Sequence, residues 1–184
     1  MTQYKCPTGD VSDGSWTNAG GGQGALNSNV RRGTGDSSYI ISEEMFGAED
    51  TCRFRLQNGD DPYSAADHIV RYRAVAGAGF GGPVTLTVAL YDTSVGSSPI
   101  ASETNSSVST SSLTDYSFTL SASEANAIND YDDLEIAFTR GAGMMGDDMK
   151  VTEAWIEYPD GGTPPAAPTA VAKNQPEAFV MFVD

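Results

Sequence analysis

The sequence is poor in positive charge, in cysteine and in histidine. Its 184 residues include 25 acidic and 10 basic side chains, which gives a formal net charge of −15. Nucleic acids and anionic membranes repel an acidic protein, so we expect neither as a partner. The two cysteines and the single histidine are too far apart in sequence to match any zinc-binding pattern. We therefore expect no metal and no other cofactor.

Long apolar runs are absent as well. No segment approaches the roughly 18 apolar residues that a membrane-spanning helix needs. The opening residues 1–6 are polar and lack the apolar stretch of a secretory signal or a lipoprotein anchor. We therefore expect the protein to stay where it is made, unless it leaves with a larger particle. In a reducing cytosol Cys6 and Cys52 are expected to be thiols, and their pairing stays open.

The reactive side chains do not form a pattern that predicts catalysis. His68 begins an alternating strand, and no glycine-flanked nucleophile elbow is present. The glycine-rich stretch 77–82 joins two predicted strands, whereas a phosphate-binding loop needs a helix N-terminus behind it. The acidic cluster Asp130, Asp132 and Asp133 does not follow the calcium-loop pattern, and a solvated turn is the favoured interpretation. We predict a protein that is not an enzyme and has no catalytic residues.

The region from residue 37 to residue 158 contains short runs in which apolar and polar residues alternate. Period-two alternation is typical of strands with one buried face. The clearest runs are 51–57, 68–75, 84–91, 116–120, 134–139 and 150–158. Ser121 and Glu124 fit a capping box that begins one short helix. The pattern predicts an all-β fold, an antiparallel β-sandwich of jelly-roll type with one short helix.

Both ends of the chain differ from this central β-sandwich domain, residues 37–158. Residues 1–36 contain many glycines and few apolar residues beyond Trp16, Leu26 and Val30, which predicts a Gly-rich N-terminal arm. Residues 159–184 begin with a Pro-rich linker and end in an apolar tail. The sequence therefore predicts extended arms on both sides of the sandwich.

The apolar tail is the first candidate for binding a partner. Its residues are Phe179, Val180, Met181, Phe182 and Val183. A run that is apolar on both faces would promote aggregation if it stayed in water. It is expected either to fold back as an edge strand of its own sandwich or to dock on a neighbouring subunit by strand addition. Docking on a neighbour is the interpretation we favour.

Outward-facing arginines form the second candidate surface. They are Arg53, Arg55, Arg71 and Arg73, and Trp155 shares an outward register with two glutamates, Glu153 and Glu157. Arginine is enriched at protein interfaces, which suggests a docking face. The alternatives are ion pairs with glutamates on neighbouring strands for the arginines, and coverage by the N-terminal arm for Trp155.

Several short motifs resemble a β-sandwich module of tailed-bacteriophage virion proteins. They are the runs Phe118–Ala125 and Ala127–Leu134, with Ala89–Asp92 and Ala154–Pro159. The lead-in segments Ser15–Asn18 and Asp36–Ile40 are similar to that module too, so the resemblance covers roughly residues 7 to 159. It carries over no catalytic residue.

The resemblance implies a structural virion protein of the capsid decoration (cement) type. Such a protein would bind the outer head surface through its terminal arms, after assembly in the host cytoplasm. Its expected partners are the major capsid protein and neighbouring copies of itself, so a homo-oligomer is an expectation as well. The alternatives are a phage tail or adhesion component, or a carbohydrate-binding β-sandwich module with sugars on exposed aromatic residues such as Trp16, Tyr91 or Trp155.

Overall fold

The computed structural model describes residues 2–42, 48–77, 84–142 and 148–161. Within these ranges the chain is built almost entirely from β-strands, with one 3-10 turn, Leu26–Asn29, and one α-helical turn, α1, Ala122–Ala125. None of the described helical segments has the length and apolar character needed to cross a membrane. The strands are β1 (Thr2–Lys5), β2 (Pro7–Ser12), β3 (Thr17–Asn18), β4 (Ile40–Ser42), β5 (Asp50–Leu56), β6 (Ile69–Ala76), β7 (Leu86–Asp92), β8 (Ala101–Asn105), β9 (Thr114–Thr119), β10 (Leu134–Arg140) and β11 (Met149–Pro159).

The strands form two antiparallel sheets. The front sheet has the order β3-β4-β11-β6-β9, and β1 also pairs with β11. The back sheet has the order β2-β5-β10-β7-β8. From β4 onward the chain therefore places β4-β11-β6-β9 in one sheet and β5-β10-β7-β8 in the other, which is the eight-stranded order of a jelly roll. The predicted fold class, an antiparallel β-sandwich with one short helix, is confirmed.

The core lies between the two sheets and is filled by the inward residues of each alternating strand. In β6 every second residue from Val70 onward is buried, as the sequence alternation predicts. Aromatic rings link the two sheets: Tyr72 of the front sheet meets Phe138 of the back sheet edge to face, with centroids 6.5 Å apart. Phe138 also contacts Phe54 at 6.2 Å within the back sheet. Such ring pairs stabilise a sandwich beyond the area they bury.

The short helical turn begins as the capping-box pattern predicts. The Ser121 hydroxyl accepts a hydrogen bond from the Glu124 backbone N–H at 3.3 Å, and the Ser121 N–H donates to the Glu124 carboxylate at 2.7 Å. The Ser121 hydroxyl also donates to the Glu124 carboxylate at 2.7 Å, and this bond, followed by the one from the Ser121 N–H, lowers the pKa of Glu124. The turn carries the chain from β9 in the front sheet to β10 in the back sheet.

The N-terminal region differs from the predicted arm, because residues 2–36 are packed into the sandwich. β1 extends the front sheet and β2 extends the back sheet. Trp16, Leu26 and Val30 are fully buried, so three apolar residues suffice to anchor this region. Gly14 has φ +56°, and a side chain there would collide with the Thr51 carbonyl oxygen. A glycine is needed at this point for the chain to pass close to β5.

Candidate functional site

A groove of about 480 Å³ crosses the outer face of the front sheet. Its volume falls within the range of about 300–1,000 Å³ that is typical of small-molecule sites. Strands β1, β11, β6 and β9 form its floor, and the loop between the 3-10 turn and β4 forms one wall. The described residues that line it are Tyr4, Arg32, Asp36, Arg71, Tyr72, Arg73, Asp115, Tyr116, Ser117, Glu153, Trp155 and Glu157.

Strand register aligns the outward side chains of the groove floor in cross-strand rows. Trp155 of β11 lies opposite Arg71 of β6, which lies opposite Ser117 of β9. Two residues further along each strand, the neighbouring row consists of Glu153, Arg73 and Asp115. Side chains directly opposite each other on one face are close enough to interact. The result is a surface on which an aromatic ring, guanidinium groups and carboxylates adjoin.

Two aromatic rings meet under one guanidinium at the β1 side of the groove. The Arg32 guanidinium carbon lies 4.2 Å from the centroid of Tyr4 and 5.5 Å from that of Trp155. Both distances fall within the range of cation–π contacts. Tyr4 is 42% exposed and Trp155 is partly exposed, so each ring still presents surface to solvent. These two rings form the aromatic platform of the groove.

The indole nitrogen of Trp155 adds a hydrogen-bonding group to this platform. It is buried, and it has no hydrogen-bond partner within the described ranges of the chain. A buried N–H without an acceptor is unfavourable and uncommon in folded proteins. A ligand hydroxyl or a water molecule that reached this nitrogen would satisfy it.

Ion pairs hold the groove arginines in fixed positions. Arg73 donates to both oxygens of Asp36, at 2.9 and 3.1 Å, and to Asp115 at 3.1 Å. The hydrogen bonds to Asp36 and then to Asp115 raise the pKa of Arg73. Arg71 donates to Glu157 one strand away. The two-point contact with Asp36 fixes the plane of the Arg73 guanidinium group, which leaves its remaining N–H groups pointing in defined directions.

The predicted arginine surface is divided between the two faces of the sandwich. Arg71 and Arg73 lie on the front face, in the groove, whereas Arg53 and Arg55 lie on the outer face of the back sheet. A single docking face made of all four arginines is therefore wrong. The reason is topological: β5 and β6 are consecutive in sequence, but the chain crosses from the back sheet to the front sheet between them.

The back face pairs its charged side chains with each other. Arg53 lies 2.5 Å from the buried Glu135 carboxylate, and its guanidinium stacks 3.8 Å from the centroid of Tyr91. Arg55 lies 4.0 Å from the same carboxylate. The expected ion pairing across strands is thus present on both faces. Short side chains surround the back-face pair, with Ala89 opposite Ala137 at its centre.

The remaining sequence candidates have structural roles or lie outside the described residues. His68 is buried; its ring contacts the Ala66 carbonyl oxygen at 2.9 Å and the Tyr131 hydroxyl at 2.6 Å, and burial lowers its pKa. Cys6 and Cys52 are free thiols, and burial raises the pKa of Cys52 well above its usual value. The apolar tail, residues 179–183, lies outside the described residues, so its docking stays a prediction.

The carboxylates of the acidic loop around Asp130, and the neighbouring Asp92, accept hydrogen bonds from backbone N–H groups. Asp130 accepts from the Asp132 N–H at 2.8 Å, and Asp132 accepts from the Gly59 N–H at 3.0 Å. Asp92 accepts from the backbone N–H groups of Asn129 and Asp130 at 2.7 and 3.0 Å. Across the described ranges, no three His, Cys, Asp or Glu side chains come together in a way that could hold a metal ion.

Sequence reasoning missed several groove residues, among them Tyr4 and Arg32. Both belong to the glycine-rich N-terminal region that was predicted as an arm. Tyr4 faces outward because it pairs with Glu157 of β11, and this register depends on a long-range strand contact. The outward direction of Trp155 follows from the alternation of β11, and its contact with Arg32 agrees with one of the two alternatives stated for it, coverage by the N-terminal region.

Comparisons with known proteins support no family assignment. No family model matches the chain, and no curated protein matches it. Among solved structures, the chain is similar to a xylan-binding module, CBM15, at 10% identity and a TM-score of 0.46, covering 88% of this chain and 99% of that one. It is also similar to a CBM4 module at 16% identity and a TM-score of 0.39, covering 65% and 78%.

A third similar structure is the glycoside hydrolase domain of Endo-D from Streptococcus pneumoniae R6. The identity is 10% and the TM-score 0.40, with 69% of this chain and 18% of that chain covered. All three TM-scores are below 0.5 and all identities are below 25%. The chain is therefore not assigned to any of these families.

Proposed function

We propose that the protein is a carbohydrate-binding β-sandwich module and that the groove on the front sheet is its binding site. The observation that carries the proposal is the aromatic platform, in which the partly exposed Tyr4 and Trp155 share one guanidinium neighbour inside a groove. A pyranose ring has an apolar C–H face that packs on an aromatic ring and a rim of hydroxyl groups that need hydrogen bonds. The groove supplies both kinds of contact side by side.

The charged residues of the groove suit the hydroxyl rim of a sugar. A hydroxyl group both donates and accepts, so it can bond a carboxylate and a guanidinium at once. Arg73, Asp36 and Asp115 form a hydrogen-bonded network. The guanidinium can still donate further hydrogen bonds to a sugar, and the carboxylates can still accept them from it. Because these groups are already oriented by one another, a ligand would not need to order them.

The experiment is a binding screen followed by a matched pair of variants. Immobilised and soluble polysaccharides are tested with the intact protein, and Tyr4→Ala and Trp155→Ala are then measured on the glycan retained best. Each variant is expected to weaken binding by about tenfold or more, as for a buried aromatic contact at the centre of an interface. In Trp155→Ala, titration with the glycan should no longer change the tryptophan fluorescence.

Tyr63→Ala is the matched control. Tyr63 is an exposed tyrosine at 52%, comparable with Tyr4 at 42%, but it does not line the groove. Its replacement should leave glycan affinity unchanged. Absence of glycan binding by the wild-type protein, or equal binding by Trp155→Ala and wild type with equal melting temperatures, would overturn the proposal.

Capsid decoration is the competing proposal, and it depends on the apolar tail. Deleting residues 173–184 would abolish binding to phage capsids if the tail docks there, while leaving glycan binding intact. Conversely, Trp155→Ala would leave capsid occupancy unchanged. The two proposals thus predict opposite outcomes for two variants. A glycan-binding module on a phage tail or adhesion component would satisfy the virion resemblance without any capsid contact.

A further inference from the structure

Positively and negatively charged side chains line the groove in nearly equal numbers, with one carboxylate in excess. The described lining residues include three arginines and four carboxylates. Arg73 is bonded to Asp36 and Asp115, and Arg71 is bonded to Glu157. The guanidinium charges of Arg71 and Arg73 therefore already face carboxylates of the same protein, and the Arg32 guanidinium lies over the Tyr4 and Trp155 rings. The net charge of −15 on the whole chain adds a further negative field.

We infer that the groove selects neutral polysaccharides and rejects chains that carry uronate, sulfate or sialic acid groups. The inference rests on the proposed glycan-binding function. An anionic sugar needs a cation in exchange for the water it loses, and like charges brought together at an interface oppose binding strongly. To pair with Arg73, such a sugar would have to displace Asp36 or Asp115. A neutral hydroxyl joins the same network without displacing either carboxylate.

Glu153 is the position at which this charge selection can be altered with least disturbance. It lies directly opposite Arg73 in the strand register, and its carboxylate accepts a hydrogen bond from the Gly35 N–H at 3.4 Å. Glutamine keeps an oxygen acceptor for that N–H and removes only the charge. Glu153→Gln therefore balances the three arginines against three carboxylates.

The test measures affinity for matched pairs of polysaccharides that differ in charge. Suitable pairs are methyl-esterified and de-esterified homogalacturonan, hydroxyethyl- and carboxymethylcellulose, and arabinoxylan and glucuronoxylan, compared by affinity gel electrophoresis of the intact protein. In each pair that is retained, the acidic member is expected to bind at least about tenfold more weakly at low salt. High salt should narrow the difference, because it screens exposed charges.

Glu153→Gln should reduce the ratio of neutral to acidic affinity severalfold within each pair, because it removes one negative charge that faces an anionic sugar. Glu49→Gln is the control, since it changes the net charge equally at an exposed residue outside the groove. An acidic member that binds as tightly as its neutral counterpart would overturn the charge selection while leaving glycan binding in place. Retention of no polysaccharide at all would overturn the proposed function itself, and equal effects of Glu49→Gln and Glu153→Gln would overturn the role of the groove.

Discussion

The two outer faces of the sandwich carry similar charges in different surroundings. On the back face, Arg53 lies between Glu135 and Tyr91. On the front face, Arg71 and Arg73 lie in a groove beside exposed aromatic rings. The side chain of Glu135 is 4% exposed, so its carboxylate pairs with Arg53 within the sheet and is not accessible to a ligand. Charge type therefore does not distinguish a binding face from a structural one.

The shape of the surface around the charges makes the difference. The loop before β4 contributes Arg32 and Asp36 to a groove on the outer face of the front sheet. On the outer face of the back sheet, Thr51 and Thr139 bond each other at 2.8 Å, as do Thr87 and Thr104, so these polar groups are paired internally. The front face keeps polar groups accessible, and the back face uses them for cohesion.

The largest expected effect comes from Glu135→Ala on the back face. Removing this buried carboxylate leaves Arg53 half-buried without its ionic partner, and we expect the free energy of unfolding to fall by about 1–3 kcal/mol. Glycan affinity should not change, because the residue lies on the opposite face. Urea denaturation and affinity electrophoresis measure the two quantities. A loss of glycan binding with the fold intact would contradict the separation of the two faces.

Glu157→Ala is the equivalent change on the front face and should show the reverse balance. Its partner Arg71 is 41% exposed, so the loss in stability should stay at about 0–1 kcal/mol. Glycan binding should weaken by about tenfold, since one charged acceptor for sugar hydroxyls is lost and Arg71 is released. Isothermal titration calorimetry with the best-retained glycan measures this change in affinity. A large drop in stability with unchanged affinity would assign this ion pair to the fold instead.

The smallest expected effect is that of Arg32→Ala. The Arg32 guanidinium covers the Tyr4 and Trp155 rings, so a sugar must displace it to stack there. An exposed cation–π contact is worth about 0.5–1 kcal/mol, and its removal should raise glycan affinity by about two- to fivefold. Arg31→Ala, at a neighbouring arginine that does not line the groove, is the control. Weaker binding by Arg32→Ala would mean that this guanidinium contacts the sugar directly.

Much of the fold could be predicted because strand alternation is a local property. The runs around β5, β6, β7, β9, β10 and β11 were all recognised within a few residues of their observed ends. β8 was missed because Ala101–Asn105 is an edge strand with mostly exposed polar side chains. β1 and β2 were missed for a different reason, since their pairing partners β11 and β5 are remote in sequence.

The sequence by itself determined which side chains of each strand point inward and which point outward, because this follows from the two-residue period of an extended chain. It therefore identified Trp155, Arg71 and Arg73 as surface residues. Only the tertiary structure decided which outward residues share a face, because sheet membership depends on contacts between segments remote in sequence. Those contacts placed Arg53 and Arg55 on the opposite side, brought Tyr4 beside Glu157, and built the groove.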